Sequence, residues 1–142
     1  MIVLDTSAVV AIMLREPLAA RLLARLAADL RRIVSVASYI EAGTVLAGRR
    51  RDRRSTIADL DAFLTEFGIE LWPVDDVQAR IAVEGRIRFG RGMGHGGTLN
   101  FGDTFSYALA KSLDAPLLFV GHDFVATDVR SALSPTPPPS RA

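Results

Sequence analysis

The sequence predicts an α/β fold, a short and mostly parallel sheet covered by helices on both faces. Three observations carry this. Brief apolar runs of strand length alternate with longer segments of helical periodicity. The runs are short and mostly unbroken by polar residues, as strands buried on both faces are. The chain has 142 residues, of which 49% are hydrophobic, enough for one core, too few for two ordinary domains and too apolar for intrinsic disorder.

The elements follow in order. Residues 2–4 form an apolar run that ends in Asp5-Thr6-Ser7, a strand passing into a helix cap. Residues 8–14 continue as a helix, which Glu16-Pro17 breaks. Residues 18–30 resume it with Leu22, Leu23, Leu26 and Leu30 on one stripe. A second strand occupies 33–35, and a helix over 37–46 carries Glu41. Residues 49–54 are an Arg-rich turn before a helix at 55–67, whose Leu60, Phe63, Leu64 and Phe67 are spaced for burial. A third strand at 69–74 ends around Pro73, and 77–89 is helical. Residues 90–97 hold five glycines and form a flexible loop. A helix at 101–112 has Asp103 in its first turn, and Pro116 leads into a fourth strand at 117–120. Gly121-His122-Asp123-Phe124 is a turn. The domain is expected to span 1–133, and the segment 134–142, with four prolines, to be a disordered tail.

Composition excludes several classes of function. Cysteine is absent, which removes disulfides, thiolate zinc sites and a Cys nucleophile together and suits a cytoplasmic protein. The first residues lack the basic region of a signal peptide, and no apolar run approaches the roughly 18 residues needed to span a bilayer, so no membrane association is expected. Net charge is +1, but of the 17 basic residues only Lys111 is lysine. Arginine suits phosphate recognition, and a GC-rich genome would give the same bias.

The acids carry the chemistry. Asp5 and Asp123 lie just past strand ends, Asp103 at a helix start and Glu41 one turn into a helix that follows a strand. In parallel sheets, sites form outside the carboxyl ends of the strands, so all four are expected at one edge. Four clustered carboxylates repel one another, and burial raises their pKa values. A hard divalent cation with oxygen ligands relieves the conflict, lowers the pKa of water and stabilises charge on a phosphoryl oxygen. Each acid also has an ordinary explanation. Asp5 can cap the first helix, although Thr6 or Ser7 can do so instead. Glu41 stands three residues after Ser38, as in a capping box. Asp103 favours a helix start, and Asp123 suits a turn. Asp75, Asp76, Asp114 and Asp128 read as turn or cap residues.

Taken together, four segments resemble the VapC toxins, PIN-domain members of bacterial toxin–antitoxin pairs. They are Met1-Ile-Val-Leu-Asp-Thr-Ser-Ala8, Ser35-Val-Ala-Ser-Tyr-Ile-Glu-Ala42, Leu99-Asn-Phe-Gly-Asp-Thr-Phe-Ser-Tyr-Ala-Leu-Ala110, and Leu117-Leu-Phe-Val-Gly-His-Asp-Phe124 followed by Thr127-Asp128. The resemblance covers about residues 1–133 in order and implies a PIN domain, a three-layer α/β/α sandwich. It further implies an endoribonuclease dependent on Mg²⁺ or Mn²⁺, a VapB-type antitoxin as partner, RNA as substrate and a homodimer. By the same resemblance Asp5 and Asp103 hold metal, Glu41 and Asp123 are further catalytic acids, and Thr6 touches a metal-bound water. His122 departs from the pattern, since an acid or Asn often stands there.

Other features weigh less. Gly92-Met-Gly94-His-Gly-Gly97 matches G-x-G-x-x-G but follows a helix, which argues against a dinucleotide site and for a loop at the rim of the acid site. His95 reads as a solvated loop residue. Val9, Val10, Ile12, Met13 and Leu14 exceed what one stripe needs, so they are either sandwiched in the core or part of a subunit interface. An aspartyl phosphatase opening on Asp5 would need a second Asp two residues later, where Ser7 stands.

Overall fold

In the computed structural model, which describes residues 1–133, the elements are β1 (Ile2–Leu4), α1 (Thr6–Met13), α2 (Ala19–Ala27), β2 (Arg32–Ser35), α3 (Val36–Gly48), α4 (Thr56–Glu66), β3 (Ile69–Trp72), α5 (Asp76–Phe89), α6 (Asp103–Ser112) and β4 (Leu117–Leu118). The strands make one sheet in the order β3-β2-β1-β4, and every pairing is parallel. Residues 134–142, the expected tail, lie outside the described residues.

The period of two along the strands divides the core. Ile2, Leu4, Val34 and Leu118 face a cluster shared with α1, α2, α3 and α4. Val3, Ile33 and Leu117 face the opposite cluster, with Tyr107, Leu109 and Ala110 of α6 and Ile81 and Phe89 of α5. The molecule is thus a three-layer α/β/α sandwich, and both faces of its sheet are covered. Successive strands step outward from β1 to β3, and the chain then returns to pair β4 with the other side of β1. Between β1 and β4 the strand order reverses, and a crevice opens at their carboxyl ends.

Several element ends differ from expectation for definable reasons. The helix expected to reach residue 30 stops at Ala27, because the Arg32 guanidinium takes the carbonyls of Leu26, Ala27 and Asp29. Leu30 is therefore fully exposed and leaves the apolar stripe. The third strand ends at Trp72, one residue before Pro73, which has no N–H to donate. The fourth ends at Leu118, because the N–H of Val120 turns to Ser7 Oγ at 3.0 Å.

The apolar surplus of α1 belongs to the core. Val9, Val10 and Ile12 are buried, and Met13 and Leu14 pack against the same cluster. Of the two explanations for that surplus, sandwiching is the one observed.

Candidate active site

The four acids arrive on four separate segments. All four line one cleft of about 220 Å³ at the crevice between β1 and β4, with Thr6, Ser7 and Asn100.

Asp5 follows β1 directly, its N–H bonded to the Leu118 carbonyl at 2.9 Å. It is 3% exposed and caps α1 itself, so of the caps the sequence offered, Asp5, Thr6 or Ser7, the first is the one observed. Its Oδ2 accepts from the Ser7 N–H at 3.0 Å and from Ser7 Oγ at 2.7 Å. Its Oδ1 accepts from Ser106 Oγ of α6 at 2.6 Å. Thr6 is buried and donates to the Ser38 carbonyl at 3.3 Å, so its hydroxyl ties α1 to α3.

Glu41 sits on the cleft side of α3, half-buried. The capping-box explanation does not hold for it. The cap of α3 is Ser35, whose side chain accepts from the Ala37 N–H, while Ser38 Oγ bonds Ser106 Oγ at 3.0 Å. The Glu41 carboxylate instead lies against Gly102, where an added Cβ would collide with its Oε2.

Asp103 opens α6 and is 6% exposed. It forms a reciprocal pair with Asn100: the Asn100 N–H donates to Asp103 Oδ2 at 3.0 Å, and the Asp103 N–H donates to Asn100 Oδ1 at 2.9 Å. This is the logic of a capping box, so the ordinary and the functional explanations both apply to one side chain. Burial pushes its pKa up to about 7. The Asn100 N–H opposes that rise, and the charges of Asp5, Asp123 and Glu41 add to it. Asp103 therefore senses all three of the other acids.

Asp123 stands in the turn after β4, which Gly121 enters at φ 95°, a conformation that side-chain-bearing residues rarely adopt. Thr98 Oγ1 donates to the Asp123 carbonyl at 2.9 Å, so the end of the glycine-rich segment is fastened to this turn. Phe124 is buried and anchors the turn in the core. The loop at 90–97 is thus tied to the Asp123 turn through Thr98, and neither its residues, His95 included, nor His122 line the cleft. Asp75 caps α5, and Asp114 pairs with Arg130. Asp128 does more than end a turn: it accepts from the Tyr107 hydroxyl at 2.7 Å and pairs with Lys111 at 3.3 Å.

The sequence does not single out Ser106 or Asn100, and it marks Ser38 only as a candidate helix cap. Ser106 and Asn100 lie three residues either side of Asp103, a spacing that puts Ser106 on the same helical face and Asn100 in the turn that leads into α6. Ser38 carries no comparable signal, because its contact is with a residue 68 positions away.

An all-oxygen donor set with mutually repelling, largely buried acids fits a hard divalent cation. Among the described residues no three acid or imidazole side chains form a ready-made metal-holding cluster. That is compatible with Mg²⁺, which keeps several waters and is usually held directly by one or two carboxylates.

Known proteins resemble this chain over most of its length. The PIN domain family matches residues 2–130. Ribonuclease VapC28 of Mycobacterium tuberculosis is 46% identical over 132 residues, covering 92% of this chain and 97% of that protein. Ribonuclease VapC42 of the same organism is 42% identical over 130 residues, covering 92% and 98%. Two solved structures share the fold. VapC20 of M. tuberculosis, described as a sarcin-ricin loop cleaving toxin, gives a TM-score of 0.69 at 18% identity, covering 92% of this chain and 99% of that one. VapBC2 from Rickettsia felis, bound to a DNA fragment from its promoter, gives 0.71 at 19%, covering 92% and 96%.

Proposed function

The chain belongs to the PIN-domain family beside VapC ribonucleases, and from that membership and its acid cleft we propose that it is a metal-dependent endoribonuclease, the toxin of a VapBC-type pair. The observation that carries this is the gathering of Asp5, Glu41, Asp103 and Asp123 from four segments around one cleft at the strand-order reversal. Burial pushes the Asp103 carboxyl up, and the charges of the other three acids add to that rise, so a cation in the cleft would relieve a cost that the metal-free protein carries.

Asp5 and Asp103 would hold Mg²⁺ or Mn²⁺, with Glu41 and Asp123 completing the shell or holding a second ion. Such a cation, when bound, lowers the pKa of water and stabilises charge on the phosphoryl group. The chain's own residues supply orientation. Ser7 holds Oδ2 of the Asp5 carboxylate through its N–H and its hydroxyl, and the Asn100 N–H holds the carboxylate of Asp103. Gly102 leaves room for Glu41 beside Asp103. In-line attack of water on phosphorus with loss of the 3′-oxygen leaves a 5′-phosphate and a 3′-hydroxyl.

The substrate is RNA and the inhibiting partner a VapB-type antitoxin, by the likeness to VapC ribonucleases and to toxin–antitoxin complexes such as that from Klebsiella pneumoniae, which covers 94% of this chain at a TM-score of 0.67. A homodimer is proposed through the outer face of α5 and the start of α6. There Val83, Ile87, Met93, Phe101 and Phe105 line an apolar groove, and Ile87 and Phe101 are 57% and 74% exposed. Ile87→Asp should then sediment as a monomer. No helix among the described residues is long and apolar enough to cross a membrane.

The test is cleavage of total bacterial RNA by purified protein with Mn²⁺ or Mg²⁺, with EDTA, and by Asp5→Asn. Cleavage that requires metal and vanishes in the variant supports the proposal. Cleavage by Asp5→Asn at the wild-type rate overturns the assignment of the site.

A further inference from the structure

Behind the acid cleft lies a line of buried hydroxyls that the proposed chemistry does not itself require. Ser38 of α3 and Ser106 of α6 are 2% and 0% exposed, and their Oγ atoms are 3.0 Å apart. Ser106 Oγ is also 2.6 Å from Asp5 Oδ1. Proton counting gives the line a direction. An ionised Asp5 only accepts, so the single hydroxyl proton of Ser106 goes to Asp5. The proton between the two serines must then come from Ser38. The order of donation is Ser38 to Ser106 to Asp5, and a negative charge at its end shortens and strengthens both bonds.

The same counting shows what the line does to Asp5. A carboxylate offers about four lone-pair positions. The Ser7 N–H and Ser7 Oγ occupy Oδ2, and Ser106 occupies one position on Oδ1. The remaining position belongs to an oxygen whose orientation is set by Ser106, in a side chain that lines the cleft. Ser7 is itself held, since its Oγ accepts from the Val120 N–H at 3.0 Å. Asp5 is therefore gripped from α1 on one oxygen and from α6 on the other. Asp103, by contrast, has one donor on its carboxylate, the Asn100 N–H.

We propose that Ser106, backed by Ser38, is a positioning residue that locks the Asp5 carboxylate in its cleft-facing orientation and thereby sets the protein's affinity for the divalent cation. A purely structural role, in which the two hydroxyls only satisfy each other where α3 meets α6, would leave that affinity unchanged. The inference rests on the metal-dependent reading of the cleft.

The test has a metal-free arm and a metal arm. In the first, protein carrying ¹³C at the aspartate carboxyl carbons is compared by NMR as wild type, Ser106→Ala, Ser106→Cys and Ser38→Ala. In the second, Mn²⁺ binding to the same four proteins is measured by calorimetry, beside their metal-free melting temperatures. The expected result is a displaced Asp5 resonance in Ser106→Ala and about tenfold weaker Mn²⁺ binding by a protein that still melts cooperatively. Ser106→Cys, which keeps a weak donor of similar size, should recover part of the affinity. Ser38→Ala should lose about threefold. An unmoved Asp5 resonance, or wild-type Mn²⁺ affinity in Ser106→Ala, overturns the proposal. If Ser106→Ala does not fold, an unmoved resonance with unchanged affinity in Ser38→Ala overturns it equally. Wild-type protein that takes up no Mn²⁺ would overturn the metal-dependent reading itself, and the role of Ser106 with it.

Discussion

The carboxylate of Glu41 occupies the space that a side chain at position 102 would need: a Cβ built on Gly102 collides with Glu41 Oε2. Glycine at 102 is thus the condition for Glu41 and Asp103 to share one cleft.

Gly102→Ala should separate activity from stability. The backbone at 102 is helical, with φ −62° and ψ −38°, so alanine fits it without strain. The clash is with the free end of a flexible side chain, which can swing away at little cost to the fold. RNA cleavage should fall at least about tenfold, while the melting temperature stays within about 2 °C, a change of less than about 1 kcal/mol for a chain of this size. Wild-type cleavage by the variant would show that the placement of Glu41 is immaterial.

The metal-free protein should grow less stable as pH rises through the titration of Asp103. Its carboxyl lies at about 7 in the folded protein against 3.8 for an aspartate free in water, so between these values the folded protein keeps a proton that the unfolded chain has released. This group's contribution is most favourable below the lower value, declines as pH rises, and is least favourable above the upper one. Asp103→Asn should flatten that slope and raise the melting temperature in EDTA at pH 8. Parallel melting curves for variant and wild type across the window would contradict the assignment.

Gly85→Ala should loosen the packing of α5 on α6. A Cβ at position 85 would collide with the Tyr107 ring, which is buried and held by its hydroxyl bond to Asp128. Overpacking of this kind costs about 1–3 kcal/mol. Gly48→Ala is the control, because nothing lies within 4 Å of a Cβ there. A lower denaturation midpoint for the first variant and not for the second is the expected outcome.

Arg32 should be needed for stability beyond its charge. Its guanidinium donates to the carbonyls of Leu26 at 2.8 Å, Asp29 at 3.1 Å and Phe67 at 2.6 Å, closing the ends of α2 and α4 against β2. Arg32→Ala should cost about 1–3 kcal/mol in chemical denaturation, and Arg32→Lys should restore only part, since an ammonium cannot span three carbonyls. Full recovery by lysine would reduce the role of Arg32 to its charge.

Much of this was legible in the chain itself. The alternation of apolar runs with helical periods, and Asp5 closing the first apolar strand, come from local patterns of two to four residues. The backbone geometry that generates those patterns is also local. The four acids were recognisable because Asp5, Asp103 and Asp123 sit at element ends and Glu41 early in a helix that follows a strand, positions that a parallel sheet places on one edge. Ordinary local roles did not compete with functional ones as the spacing suggested. Asp5 and Asp103 each tie down a helix start and line the cleft at once, because a helix N-terminus favours the same negative charge that a cation would.

What the tertiary structure decided is the set of contacts between residues far apart in sequence. Ser106 reaching Asp5 across 101 positions, Ser38 reaching Ser106, Gly102 yielding to Glu41 and Arg32 cutting α2 short of Leu30 all depend on how helices pack over a sheet. The sequence by itself determined the elements, their layering and the edge at which the acids gather. Only packing decided which oxygen each acid offers to the cleft, because periodicity assigns a side chain to a face and carries no information about the partner it will meet there.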